Sequence, residues 1–250
     1  MGVELSESSG VLILELTLWE LLFQEGQMTI HQPLITQDLL RGAVRKIPRQ
    51  GRSLASYERM LQATRELLLE RGDDDFTLID VSERGNVSIG SIYLRFDSKD
   101  KLLHAVIAQE LLETLECEEK MHAKLSQHAS SLGDYLGAYI SEYSRFLGER
   151  ATMLGLIMQK AASDPEISNP GKEIAAQSAI LATNGILTFK DEITGPDPAL
   201  KATVVFQTVF STIARQFGLG TTSESADPEA WAIVKSELAK MMLAYLRDPA

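Results

Sequence analysis

The stretch from Thr77 to Phe96, TLIDVSERGNVSIGSIYLRF, constrains this chain more than any other. Its length admits two short helices and a tight turn, and little else. Thr77, with Asp80 three positions on, has the form of an N-terminal capping box. The hydroxyl accepts from an orphan backbone N–H, and the carboxylate sits at the positive end of the helix. Val81 then points inward and the helix is expected to end near Arg84. Gly85 and Asn86 read as a turn that needs a positive φ, which glycine adopts freely and asparagine tolerates. Ser88 caps the second helix, whose inner face is Val87, Ile92 and Phe96. Ile89, Gly90, Ser91 and Tyr93 are left on or near the outward side. Small residues at the front of a helix permit close entry into a groove, and hydroxyls reach phosphate oxygens or base edges. The pattern is a helix-turn-helix, and its partner is double-stranded DNA.

A net charge of −11 sits oddly with that partner until it is divided along the chain. Residues 1–40 carry six acids and no Lys or Arg, whereas 41–60 carry six basic residues against Glu58 alone, a net of +5. Residues 104–250 hold 12 basic and 19 acidic residues, a net of −7. The positive charge thus gathers just ahead of the helix-turn-helix, where phosphates would be met. The segment RGAVRKIPRQGR, broken by Pro48 and Gly51, is expected to be a flexible basic arm. Its Arg49 and Arg52 are candidates for phosphate contact or entry into the minor groove. The acidic remainder discourages non-specific coating of nucleic acid.

The same residues carry a resemblance. Thr77, Val81, Val87-Ser88, Gly90-Ser91-Ile92-Tyr93, Phe96 and Ser98-Lys99-Asp100-Lys101-Leu102 resemble the signature of the TetR family of transcriptional regulators, over roughly 53–113. Two places depart from it: Gly85-Asn86 stands where the family usually has Ala-Gly, and Ser82 replaces the usual alanine. The resemblance implies an all-α protein with an N-terminal three-helix DNA-binding domain and a larger C-terminal helical domain for effector binding and dimerisation. It implies phosphate contacts from Tyr93, Lys99 and Ser88, with Thr77 and Arg95 in the same DNA-binding set. Ile89, Gly90 and Ser91 are the candidates for reading bases, Ile89 through a thymine methyl. The expected divisions are an extension and arm over 1–48, the DNA-binding domain over 49–113 with its motif at 77–96, and the effector and dimerisation domain over 114–250.

Elsewhere the periodicity is helical, with no alternating strand pattern and no repeats. Val11 to Phe23 is apolar but too short and too charged to span a bilayer. With no Lys or Arg before it, it does not read as a signal peptide. It reads either as an amphipathic helix docking on the body or as lying upstream of a translation start at Met28. Ser53 or Ser56 is expected to open the first helix of the DNA-binding domain, with Tyr57, Met60, Leu61, Thr64, Leu67 and Leu68 as its buried stripe and Gly72 as its C-terminal cap. Phe76 reads as a core plug. A long helix is expected over Lys99 to Glu119, and others near 130–147, 151–163, 170–193, 198–217 and 227–246. Breaks are expected at Gly148, Pro165, Pro170, Gly195-Pro196 and Pro198, and TTSESADPE as a polar loop before the last helix. The last two helices are apolar more broadly than one core stripe requires. The resemblance makes them the homodimer interface, with Phe206, Phe210, Trp231, Leu238 and Met242 at the contact. Met153, Leu156, Ile157, Tyr139, Phe146 and Phe189 are candidate linings of an effector pocket, although an apolar helix face is more often simply core.

Chemistry is excluded more readily than it is assigned. A single cysteine, Cys117, allows no intramolecular disulfide and no cysteine-cluster zinc site. His31, His104, His122 and His128 show no metal-ligand spacing, and His104 and His122 read as ordinary surface or interface residues on a helix. There is no glycine-rich phosphate loop after a strand and no Gly-x-Ser-x-Gly elbow. No catalytic residue, metal or cofactor is expected. The expected function is a dimeric regulator in the cytoplasm, most simply a repressor that leaves a palindromic operator when it binds a small molecule of unknown identity. The alternative is a DNA-binding structural or interaction protein of the same fold with no effector.

Overall fold

The computed structural model describes residues 31–46, 48, 50–219 and 227–249. The apolar run Val11–Phe23, Arg49 and most of the loop before the last helix lie outside them. Among the described residues the fold is all-α. The helices are α1 (Leu34–Ala43), α2 (Gly51–Arg71), α3 (Leu78–Arg84), α4 (Ile89–Tyr93), α5 (Lys99–His128), α6 (Leu132–Ala161), α7 (Pro165–Leu187), α8 (Pro198–Gln216) and α9 (Pro228–Arg247), with a short 3-10 turn at Lys190–Glu192.

Two compact units divide these helices otherwise than the expected boundary near 113. One holds His31–Cys117 with Thr152–Ile174; the other holds Glu118–Ala151 with Ala175–Ala250. The C-terminal part of α6 and the first turns of α7 therefore belong with the helix-turn-helix, because packing and not chain order defines a unit.

In the first unit, Met60, Leu67, Leu68, Phe76, Val81, Ile92, Phe96, Leu102 and Val106 are buried together. Tyr57 stacks on Phe96 at 6.1 Å between ring centres. Each such side chain contributes about 1.5–3 kcal/mol by leaving water. Gly72 ends α2 in the left-handed conformation, φ 75°, its N–H donating to Leu68 O at 2.9 Å. Helix α2 begins at Gly51, ahead of both serines proposed to open it, and Gln50 precedes it in extended conformation with no side-chain cap. Helix α1 was not foreseen within the extension. The Glu173 carboxylate holds its N-terminus, accepting from Ile35 N at 3.0 Å, Thr36 N at 2.8 Å and Thr36 Oγ1 at 2.8 Å.

In the second unit, Tyr135, Tyr139, Tyr143 and Phe146 form a ladder along α6, with ring centres 6.0, 5.3 and 6.1 Å apart. Helix α6 runs through Gly148, where a break was expected. A Cβ there would lie 2.8 Å from the Phe217 ring, so the glycine makes room for an aromatic neighbour. Helix α7 likewise starts at Pro165 and continues through Pro170. The expectations at Asp197-Pro198 and Asp227-Pro228 hold: Asp197 accepts from Leu200 N at 2.9 Å and Asp227 from Ala230 N at 3.4 Å, each with proline in the first turn.

Candidate nucleic-acid interface

The capping box forms as the sequence requires. Asp80 N donates to Thr77 Oγ1 at 3.1 Å, and Thr77 N donates to Asp80 Oδ2 at 2.7 Å. That backbone N–H holds the Asp80 carboxyl below its ordinary range, helped by the Thr77 hydroxyl and by Arg71. Asn86 alone takes the left-handed conformation in the turn, at φ 46°, while Gly85 is right-handed at φ −80°. Gly85 is needed for a different reason. A Cβ on it would lie 3.0 Å from both Arg59 O and Val81 O, and 3.3 Å from Ala63 Cβ. The turn is thus pressed against α2, and Arg59 Nε donates to Gly85 O at 3.1 Å.

Ser88 caps α4, accepting from Ser91 N at 3.2 Å, and the two hydroxyls lie 2.7 Å apart. Ile92 anchors the helix in the core, which leaves Ser88, Ile89, Gly90 and Tyr93 exposed and Ser91 half-buried. Nothing lies within 4 Å of a Cβ built on Gly90. An apolar tip, a bare backbone and two hydroxyls thereby share one short surface. Tyr93 is 52% exposed and the adjoining Leu94 72%. Leu94 and the exposed Ile79 escaped the sequence reading, since a lone apolar residue in a helical run reads as core.

The arm is fastened to this surface. Arg45 N donates to Arg95 O at 2.9 Å, and the Arg45 guanidinium pairs with Asp97. Arg95 reaches back, donating to Lys46 O at 2.8 Å and Ser53 Oγ at 2.5 Å. Arg95 therefore braces the arm against the start of α2, and Arg45 and Lys46 are held at the edge of the recognition segment. Arg52 is exposed on α2, and Thr77 is exposed but spent on its cap. The Lys99 ammonium donates to Asp74 O and lies 4.7 Å from the centre of the Phe76 ring. It has three donors, so a phosphate would share it with that carbonyl.

The expected interface residues divide. Phe206, at 2% exposure, Leu238 at 6% and Met242 are core within the protomer, which corrects their assignment to a contact between protomers. Phe210 and Trp231 are half-buried, and Trp231 Nε1 donates to Ser144 Oγ at 3.0 Å. On α9 the outward apolar residues are Ile233 at 65%, Val234, Met241 at 60% and Tyr245.

Of the expected pocket residues, Tyr139 and Phe146 belong to the buried aromatic ladder, and Phe189 packs at 5.5 Å from Tyr135. Beside the ladder lie polar groups the sequence did not reveal. Glu118 is buried, accepting from Ser178 Oγ, and burial pushes its carboxyl up to about 7. His122 is buried against Tyr135 OH at 3.0 Å, and burial pushes its imidazolium down to about 4. His122 Nε2, Tyr139 OH and Thr183 Oγ1 are buried without a hydrogen-bond partner. His104 is also buried, with Nε2 2.7 Å from Asp164. Neither histidine is the surface residue expected, because each lies on a helix face that another element covers.

Among the described residues no group of three His, Cys, Asp or Glu is placed to hold a metal, and no helix is long and apolar enough to cross a membrane.

An all-helical chain with an exposed, capped recognition helix and a basic arm tied beside it is a helix-turn-helix DNA-binding protein. Residues 60–106 match the family of bacterial regulatory proteins of the tetR type. The uncharacterized HTH-type transcriptional regulator YvdT of Bacillus subtilis strain 168 is 35% identical over 60 residues, covering 24% of this chain and 31% of that relative. The match thus spans about a third of the relative's length. In solved structures the whole fold recurs. A Mesorhizobium loti MAFF303099 protein assigned to the TetR family superposes with a TM-score of 0.66 at 18% identity, over 78% of this chain and 98% of that one. GusR of Salmonella enterica superposes with a TM-score of 0.58 at 19% identity, over 80% and 100%. By its DNA-binding domain and its fold, the chain belongs to the TetR family.

Proposed function

We propose that the protein is a dimeric transcriptional regulator in the cytoplasm, a repressor that leaves a palindromic operator when a small molecule binds. The observation that carries this reading is the exposed face of α4, where Ile89, Gly90, Ser91 and Tyr93 stand clear of the core beside a fastened basic arm. Ile89 reads a base and Ser88, Tyr93, Lys99, Arg49 and Arg52 meet phosphates, so one surface supplies both specificity and registration. Two copies are required, because one recognition helix spans only a few base pairs. The outward face of α9 supplies the apolar surface for a two-fold contact. Responsiveness to a small molecule is supported by the buried, unpartnered polar atoms beside the aromatic ladder, since each costs about 1–3 kcal/mol until something bonds to it.

Selection of bound sequences from random duplex DNA tests the reading. The wild type should return an inverted repeat, and Ile89→Ala should return it with one base position per half-site relaxed, by roughly 1–3 kcal/mol. Recovery of the same motif at the same strength by the variant would remove Ile89 from the readout. No enriched motif from the wild type would remove the regulator reading itself.

A further inference from the structure

The unit that carries the helix-turn-helix contains a cavity of about 250 Å³ between α2, α5, the C-terminal part of α6 and the loop after α2. Leu68, Leu103, Met153 and Leu156 line its apolar side, and Asp73, Asp74 and Lys160 its polar side. An apolar cavity of about 150 Å³ holds a benzene molecule, so this volume takes one ring with a short side chain. Its charge is unbalanced. Lys160 Nζ pairs with Asp74 at 2.6 Å, whereas the Asp73 carboxylate accepts only Asp75 N, at 2.9 Å, and pairs with no cation among the described residues. Two carboxylates against one ammonium leave an excess negative charge beside an apolar wall.

We propose that this cavity binds a small organic cation with a ring-sized apolar body, its ammonium held by Asp73 and Asp74. Its position gives the ligand a consequence. The Asp74 carbonyl accepts from Lys99 at the start of α5, Phe76 is buried under the same ammonium, and Thr77 caps α3. A cation competing with Lys160 for Asp74 pulls on the loop that sets the first helix of the DNA-binding motif. This coupling rests on the regulator reading; the binding site does not.

The test uses the full chain without DNA, titrated calorimetrically near pH 7 with 2-phenylethylammonium, 3-phenylpropanoate and 2-phenylethanol. The ammonium should bind at least about tenfold more tightly than either of the others, the difference expected of a charge-assisted pair. Asp74→Asn, and Leu156→Trp to fill the cavity, should each weaken it about tenfold with an unchanged circular dichroism spectrum. If Leu156→Trp unfolds, the Asp73→Asn, Asp74→Asn double variant carries the same test without altering packing. Equal or tighter binding of the carboxylate, no binding of the ammonium at millimolar concentration, or undiminished binding by the folded variants would overturn the site. Operator affinity is then measured with and without saturating ammonium. A shift of about threefold or more supports the coupling, and an unchanged affinity overturns it. Failure of the untreated protein to bind DNA refutes the regulator reading alone.

Discussion

At Gly85 the requirement is space, not backbone freedom. Its φ suits any residue, but two carbonyl oxygens stand 3.0 Å from where a Cβ would be. Gly85→Ala should therefore destabilise the protein by roughly 1–3 kcal/mol, read from the urea midpoint. An unchanged midpoint would mean that α2 gives way without strain. Glu118 and His122 make a second prediction, in which the signs oppose. Unfolded, a glutamate ionises near about 4.3 and a histidine near about 6.5. Glu118, pushed up to about 7, keeps its proton in the fold, so its contribution is lost as pH rises from about 4.3 to 7, by up to about 1.4 kcal/mol per unit. His122, pushed down to about 4, stays neutral in the fold, so its contribution grows as pH rises from about 4 to 6.5. In the wild type the two slopes offset each other over the shared window. Glu118→Gln should leave stability rising with pH from about 4 to 6.5, and His122→Asn should leave it falling from about 4.3 to 7. Denaturant melts across that range check both, and profiles parallel to the wild type would contradict the assignment.

At the scale of elements, α9 has two faces with opposite fates. Leu238, Met242 and Leu246 recur four apart and are buried, while Ile233, Val234, Met241 and Tyr245 look outward. Met241→Asp should give folded monomers by sedimentation and circular dichroism. Leu238→Asp should unfold the chain, since a charge in that core costs roughly 3 kcal/mol or more. A folded dimer from Met241→Asp would place the interface elsewhere. Helix α1 depends on one carboxylate from α7. Glu173→Gln weakens three hydrogen bonds at its N-terminus, by about 1 kcal/mol or more in sum. Amide exchange over 35–43 should then accelerate several-fold while α2 is unaffected.

For the whole molecule, DNA binding and self-association are linked. A two-fold pair of recognition helices reads half-sites about one helical turn, roughly 34–36 Å, apart. Operator affinity should therefore fall steeply on dilution below the concentration at which dimers separate. Affinity for random DNA should be set by the arm and by salt. An affinity unaffected by dilution over the range where sedimentation detects monomers would mean that one copy suffices.

The sequence by itself determined what local chemistry determines. The Thr77–Asp80 box, the Ser88 cap, the left-handed Asn86, the Gly72 stop and the inward side of α4 each depend on groups within a few residues of one another. Spacing therefore discloses them, and with them the recognition surface. What tertiary structure alone decided is which faces a distant element covers. Gly148 leaves α6 unbroken because Phe217, far along the chain, fills the space of its missing side chain. His104, Glu118 and His122 look like surface residues in a helical pattern, yet neighbouring elements bury all three. Of the apolar residues on α9, only its packing selects Leu238 and Met242 for the core and leaves Met241 outside, because hydrophobicity alone does not say which partner will cover a face.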